Sequence, residues 1–333
     1  MNNLKKIGLT ALAASLVSTS VFAGELTVSG SASLTAEATT GDQLNAAGAT
    51  GFSQANNIYF TGGGELDNGM TVSLSFELDD GSNSGGATAS AAGVFDNHSV
   101  TVSSDTLGTF TFAGHGGSSA ASALDTTAAG DMWDNFDGLG LGADAVAVSD
   151  SAPGNNSMFY TLPSMVDGLA VSASYKPRGT GRASATGMSA TYTGVEGLSV
   201  SYGVTDIETG VAITSGDQTV MKASYAYGPV TVAYSNSEYD EASTADNDDD
   251  QETTSYNISY TVSDAISVSY GTEEISNGNT TSTQDAEYDG FKASYTSGGM
   301  TVSASMMDGD NTTYTTASDE DLEYWSLGLS FAF

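Results

Sequence analysis

The chain alternates apolar and polar residues over many short stretches, a pattern typical of β-strands. Between residues 70 and 79, apolar side chains occupy every second position, from Met70 to Leu78. The same period of two returns at 198–205, 256–262 and 300–306. Successive side chains of a strand point to opposite faces, so each stretch has one apolar face and one face of small, polar residues. Because no segment shows a long run at helical spacing, the pattern predicts an all-β protein.

The character of the polar face separates two all-β architectures. A sandwich buries its apolar faces and normally exposes charged side chains on the outside. Here the polar face consists mainly of Ser, Thr, Gly and Asn. A transmembrane barrel with its apolar face toward lipid and its polar face toward a water-filled lumen explains this choice better.

The connections between the predicted strands alternate in length. Seven short turns carry turn-forming residues, as in Asp67-Asn68-Gly69, and eight longer segments, among them 239–252 and 273–286, are acidic and rich in Gly and Asn. Together they join about sixteen strands. An even strand number, tight turns at one end and long loops at the other are typical of up-and-down outer-membrane β-barrels. We therefore expect an antiparallel transmembrane barrel of about sixteen strands.

The N-terminal residues have the pattern of a secretory signal. Two lysines precede an apolar run over 7–17, followed by a small-residue cleavage pattern that ends at Ala23. The run is too short for a membrane-spanning helix, which needs about 20 residues. We expect residues 1–23 to be the signal peptide and 24–333 to form the barrel.

The overall charge is strongly acidic and excludes several classes of protein. Without the two lysines of the expected signal, the chain has five basic residues against 41 acidic ones, so nucleic acid is not an expected partner. Aromatic and β-branched residues are too frequent for a disordered acidic chain, and the short repeat of a secreted Ca²⁺-binding solenoid is absent. The chain has no Cys and therefore no disulfide or thiolate metal site.

The third long segment, residues 114–155, differs from the other loops. It is rich in aspartate and contains no Lys or Arg. Two interpretations remain: a surface loop with solvated charges, or a loop folded into the lumen, and loops of this length are uncommon unless they are functional. The aspartates of a pore constriction would be Asp125, Asp131, Asp134, Asp137 and Asp144.

At several points the chain resembles the general porins of Gram-negative outer membranes, especially those of α-proteobacteria. The resemblance rests on Gly24-Glu25-Leu26-Thr27-Val28-Ser29-Gly30, on Asn156-Ser157-Met158-Phe159-Tyr160 with the strand at 168–175 behind it, and on the end Phe331-Ala332-Phe333. It implies homotrimers of sixteen-stranded barrels in outer-membrane lipid and lipopolysaccharide. Each pore would be narrowed by an inward-folded third loop and would let small polar solutes and ions diffuse passively. The positions Gly328, Phe331 and Phe333 look like the signal read by the β-barrel assembly machinery.

The sequence departs from the family in its basic residues. The strands before the third loop contain no Lys or Arg, whereas the family places a basic cluster there, opposite the acids of the loop. Lys222 and Lys292 have the parity of the polar face and are candidates for a reduced basic wall. Acids that face so few bases predict a cation-selective pore. The alternative is a non-conducting barrel that serves as an adhesin or an envelope anchor.

Catalytic and metal chemistry have little support in the sequence. The histidines are His98, which has the parity of the apolar face, and His115, which is followed by Ser118 and Ser119. Ser is so frequent that this proximity is expected by chance, so we predict no enzymatic activity and no cofactor, with a Ser–His hydrolase as the remaining alternative. The acidic segment with Asp246, Asp248 and Asp250 is a weak candidate Ca²⁺ site, or a solvated loop tip.

Overall fold

Sixteen antiparallel strands close into one barrel in the part of the chain that the structure describes. The computed structural model describes residues 26–41, 51–79, 95–136, 154–178, 184–208, 215–242, 250–278, 284–312, 314 and 321–333. Each strand pairs with its neighbours in sequence, and the last strand pairs with the first. The predicted up-and-down barrel is thereby confirmed. The expected signal peptide lies outside the described residues.

The strands and helices have the following bounds. The first eight strands are β1 Thr27–Thr40, β2 Gly51–Glu65, β3 Thr71–Asp79, β4 His98–Ser104, β5 Gly108–His115, β6 Ser157–Thr161, β7 Leu169–Lys176 and β8 Ser184–Tyr192. The second eight are β9 Leu198–Glu208, β10 Gly216–Tyr227, β11 Val230–Glu241, β12 Gln251–Ser263, β13 Ile266–Asn277, β14 Ala286–Ser297, β15 Met300–Asp310 and β16 Leu322–Ala332. Two short 3₁₀ helices, Ser122–Leu124 and Trp133–Asn135, lie between β5 and β6. None of the helices among the described residues is long and apolar enough to cross a membrane.

Several strands run further toward the long loops than the sequence predicts. The expected loop over 273–286 shortens because β13 continues to Asn277, and that over 239–252 shortens because β11 continues to Glu241. The outward-facing residues of these strand ends, such as Asp240 and Glu274, are polar, so the apolar alternation of the outer face stops before the backbone pairing does. Cross-strand polar contacts continue there, as in the bond from Asn236 Nδ2 to Glu252 Oε1 at 2.8 Å.

The outer surface of the barrel is apolar and the inner surface is polar. Phe291 and Met306 pair across β14 and β15 on the outside and are 65% and 70% exposed. On the inside, hydroxyl groups pair across strands, as between Thr101 and Thr111 at 2.9 Å. An apolar exterior around a hydroxyl-lined interior is the arrangement of a barrel in lipid.

The last residue takes part in closing the barrel. The backbone N–H of Phe333 donates to Gly30 O at 3.0 Å, and Gly30 N–H donates to Phe333 O at 2.9 Å. The Phe333 ring lies over Gly30, where a Cβ atom would approach the ring to 2.9 Å. Strand β1 therefore needs glycine at position 30 to accept the C-terminal aromatic ring.

Candidate functional site: the third loop inside the barrel

The connection between β5 and β6, called loop 3 below, folds into the barrel and follows its inner wall. The backbone N–H of Ala120 donates to Ser174 Oγ on β7 at 2.8 Å. Further along, Ala128 N–H donates to Ser235 Oγ on β11 at 2.8 Å, and Ala129 N–H to Ser255 Oγ on β12 at 2.9 Å. Successive residues of loop 3 thus meet successive strands, and the lumenal interpretation of this loop is confirmed.

Small residues on the inner wall allow this close approach. A Cβ atom at Gly271 on β13 would lie 2.5 Å from the Cβ of Ala129, and one at Gly203 on β9 would lie 3.1 Å from the Cα of Ala121. Side chains at these positions would push loop 3 away from the strands. The small, hydroxylated inner face therefore serves two purposes, since part of it faces the lumen and part of it holds the loop backbone.

Both lysines of the predicted basic wall contact the backbone of loop 3. Lys222 Nζ on β10 donates to Thr126 O. Lys292 Nζ on β14 donates to Ala129 O at 2.8 Å and to Gly130 O at 3.0 Å. Both ammonium groups lie on the lumen side of the wall, as their parity predicts, and they anchor the loop through its carbonyl groups.

A buried carboxylate, Glu273 on β13, completes the anchor. Its side chain is 2% exposed and accepts hydrogen bonds from the hydroxyl of Thr127 and from the backbone N–H of Trp133 at 3.1 Å. Lys292 is close enough for electrostatic attraction to Glu273. Sequence reasoning missed this residue because it falls within the expected acidic loop over 273–286. The sequence does contain one indication that Glu273 faces the lumen. It has the same parity along the strand as the polar residues Ser267 and Ser269.

A tight turn connects the anchor to the predicted constriction aspartates. Asp131 has a left-handed backbone with φ of 49°, and its Oδ1 accepts the Thr127 N–H at 2.8 Å. The Thr127 hydroxyl oxygen in turn accepts the N–H groups of Gly130 at 3.1 Å and Asp131 at 2.8 Å. Asp131, Asp134 and Lys292 line one cavity of about 580 Å³ inside the barrel.

The far end of the described part of loop 3 is held by apolar packing. Met132 and Phe136 are buried in a cluster with inward-facing side chains of β13 to β16. The rings of Phe136 and Tyr288 have centroids 5.3 Å apart. Burial of each such side chain contributes about 1.5–3 kcal/mol. This apolar core lies inside the barrel, and the signal for it in the sequence is the group of large apolar residues within an otherwise acidic loop.

The remaining predicted residues are placed as follows. Gln218 Nε2 on β10 donates to Asp125 Oδ1 at 3.2 Å. Asp137 and Asp144 lie outside the described residues. Gly328 lies within β16, where a Cβ atom would approach Ser303 Oγ to 2.6 Å, and Phe331 pairs with Ala32 of β1 and Met300 of β15. The roles of these residues in a constriction or an assembly signal stay predictions.

The candidates for catalysis and for metal binding have other contacts. His115 Nδ1 lies 3.4 Å from Asn97 Oδ1, and Ser119 Oγ accepts the N–H of Ser122 at 3.0 Å. Asp246 and Asp248 lie outside the described residues, and Asp250 Oδ1 accepts the N–H of Glu241 at 2.7 Å. Within the described ranges no group of three or more His or acidic residues could hold a metal ion. The Ca²⁺ prediction is therefore not tested by the structure.

Comparison with known structures identifies this architecture. An anion-selective porin from Comamonas acidovorans has a TM-score of 0.69 and 15% identity, over 93% of this chain and 99% of that one. A porin refined at 1.8 Å resolution has a TM-score of 0.65 and 19% identity, over 93% and 100%. A mutant of Rh. blastica porin has a TM-score of 0.64 and 16% identity, over 93% and 100%. At these identities the likeness shows the fold.

The family follows from the sequence profiles. A search of curated proteins finds no match. The profile of the Gram-negative porin family matches residues 8–274, which is most of the chain. Together with the barrel and the inward-folded third loop, this match shows that the chain belongs to the Gram-negative porins, the diffusion channels of the outer membrane.

Proposed function

We propose that this porin is a passive, water-filled channel for small hydrophilic solutes and that it prefers cations. The observation that carries the preference is the arrangement of charge in the lumen. Loop 3 places Asp131 and Asp134 in the same cavity as Lys292, while Lys292 and Lys222 bind carbonyl groups of that loop. Strands β1 to β6 add no Lys or Arg. Carboxylates in a confined pore with low-dielectric walls attract cations.

The proposal also covers the assembly and the absence of catalysis. We propose a homotrimer in outer-membrane lipid and lipopolysaccharide, inserted by the β-barrel assembly machinery, which performs no chemical reaction. The apolar outer face and the family support the membrane setting. The anion selectivity of the Comamonas porin belongs to that protein, because 15% identity supports a common fold without a common charge pattern.

Reversal potentials test the preference directly. In a planar bilayer with a KCl gradient, we expect the reversal potential to move toward the K⁺ equilibrium potential. The shift should shrink at high salt, because the Debye length falls to about 3 Å at 1 M. A reversal potential at zero or of the opposite sign would reject the proposal, and a barrel without any current would favour the adhesin or anchor.

Neutralising two aspartates of loop 3 should reduce the preference. In the variant Asp131→Asn and Asp134→Asn, position 131 keeps an acceptor oxygen and a residue that tolerates the left-handed backbone. The loop should therefore stay in place. We expect the cation-to-anion permeability ratio to fall about two- to fivefold, since a unit charge near a permeating ion contributes about 1 kcal/mol or less in water.

A matched control removes the same charge from the short-turn end of the barrel, outside the lumen. Asp167 and Glu196 are exposed residues of the short turns, and the variant Asp167→Asn and Glu196→Gln should leave the permeability ratio nearly unchanged. Equal effects of the two double variants on the permeability ratio would show that the selectivity depends on the net charge of the protein and not on charges located in loop 3.

A further inference from the structure

A second cavity lies against the inner wall formed by the early strands. Its volume is about 380 Å³, and it is lined by strands β2 to β6 and by the first residues of loop 3. The side chains that matter here are Tyr59, Glu77, Asn97, His115 and Phe159. Cavities of this size accommodate small organic molecules.

The carboxylate of Glu77 is held rigidly within this cavity. Its side chain is 7% exposed, and it accepts hydrogen bonds from Asn57 Nδ2 at 3.1 Å and from Asn97 Nδ2 at 2.5 Å. Asn57 also donates to Tyr59 Oη at 2.9 Å. The carboxylate is thus oriented by neutral groups that leave its negative charge in place.

No cationic side chain of the early strands balances that charge. After Lys6, the next basic residue in the sequence is Lys176, at the end of β7. Strands β2 to β6 therefore contain no Lys or Arg, and Asp79 adds a second carboxylate two residues from Glu77 on the same face of β3. A partly buried carboxylate in a narrow lumen attracts a cation that can supply both charge and hydrogen-bond donors.

The rest of the lining favours an organic cation over a bare metal ion. The rings of Tyr59 and Phe159 border the cavity together with Ala113, and aromatic faces attract ammonium groups. Among the described residues, no group of acidic and His side chains has the arrangement of a metal site. A carboxylate beside two rings matches a molecule with an ammonium head and a short apolar chain.

We propose that this cavity binds small organic ammonium ions on their way through the pore. This binding site depends on the proposed channel function only because the lumen must be open to solutes. The site itself is distinct from the loop 3 aspartates Asp131 and Asp134, which line the cavity of about 580 Å³ beside Lys292. Glu77 would bind the ammonium head, and Tyr59 and Phe159 would contact the carbon chain.

Binding of n-butylammonium to the folded barrel in detergent tests the site. Saturation-transfer NMR at low salt and about pH 8, where an alkylammonium group is charged, gives the dissociation constant. We expect Glu77→Gln to weaken n-butylammonium binding about tenfold or more, because the charged hydrogen bond is lost. The neutral analogue 1-butanol should bind weakly to both proteins.

Glu37 provides the matched control. It also points into the lumen and accepts a hydrogen bond, from Tyr324 Oη at 2.9 Å, but it does not line this cavity. Glu37→Gln should change the affinity less than about twofold, because its carboxylate does not line the cavity and cannot contact the bound ammonium group. Equal affinities of the parent protein and Glu77→Gln, or equally tight binding of 1-butanol, would overturn the proposal.

A second variant covers the case in which Glu77→Gln fails to fold, as judged by heat-dependent gel mobility. Phe159→Leu keeps an apolar side chain on β6. It should weaken the binding of n-butylammonium about threefold or more, because the aromatic ring is lost. Unchanged affinity in Phe159→Leu would then reject the site. NMR detects binding without an ionic current, so the two proposals can fail separately. Binding of n-butylammonium to a barrel that conducts no ions would reject only the proposed channel function. A cation-selective pore that does not bind n-butylammonium would reject only the proposed binding site.

Discussion

Replacing Lys292 with Met should loosen loop 3 and make the current through single pores noisier than that of the parent protein. The variant removes the donors that bind Ala129 O and Gly130 O at 2.8 and 3.0 Å. It also leaves the buried carboxylate of Glu273 without its nearby cation. Carbonyl groups that lose such a donor cost about 1–3 kcal/mol when they stay out of water. We expect lower stability in denaturant and frequent conductance steps as the loop moves.

A double-mutant cycle with Glu273→Gln tests the mechanism. If Lys292 and Glu273 stabilise the loop through each other, the double variant should lose less free energy of unfolding than the two single variants together, by about 0.5–3 kcal/mol. Arg178→Met is the control, since it also removes one positive charge but from an exposed residue after β7. Quiet, parent-like currents together with unchanged stability in Lys292→Met would show that the apolar cluster alone holds the loop.

Changing Phe331 and Phe333 to Ser should remove most of the folded porin from the outer membrane. Phe333 pairs with Gly30 through two backbone hydrogen bonds, and its ring covers that glycine. Phe331 lies two residue pairs further along the seam between β16 and β1, opposite Ala32. The substitutions therefore affect barrel closure, and they also remove the aromatic residues that resemble the assembly signal.

Aromatic residues elsewhere on the outer face serve as the control. Phe291 is 65% exposed and Phe333 is 72% exposed, so both contribute similar area to lipid contact. Phe110→Ser and Phe291→Ser should cost about 1.5–3 kcal/mol each through lost burial in lipid and still yield folded protein. The measurement is the amount of heat-modifiable trimer in outer-membrane fractions. Similar yields from the terminal and internal variants would show that the chain end has no special part in insertion.

The strands and their faces could be predicted from the sequence because both depend on neighbouring residues. A period of two assigns each side chain to a face, and short turns such as Gly228-Pro229 set antiparallel pairing between adjacent strands. The strand ends were less predictable. Polar residues near Glu241 and Asn277 continue the strands beyond the apolar band, so no change in local pattern marks where pairing stops.

The site was only partly predictable. The length and acidity of 114–155 made this segment a candidate for a loop folded into the lumen, and parity placed Lys222 and Lys292 on the inner wall. The sequence could not show which residues the inner wall contacts. Glu273 contacts Trp133 across 140 positions of sequence, and Lys292 contacts Ala129 across 163. Contacts at such separations leave no periodic signal, and only the closed barrel brings these residues together.

Local alternation and turn chemistry by themselves determined an all-β barrel with an apolar exterior, since each depends on residues a few positions apart. The tertiary structure decided the path of loop 3, the role of the lysines as its anchors and the separate cavity around Glu77. These features depend on which side chains of distant strands face one another across the lumen. Their positions are set by closure of all sixteen strands, a property of the whole chain that no single segment carries.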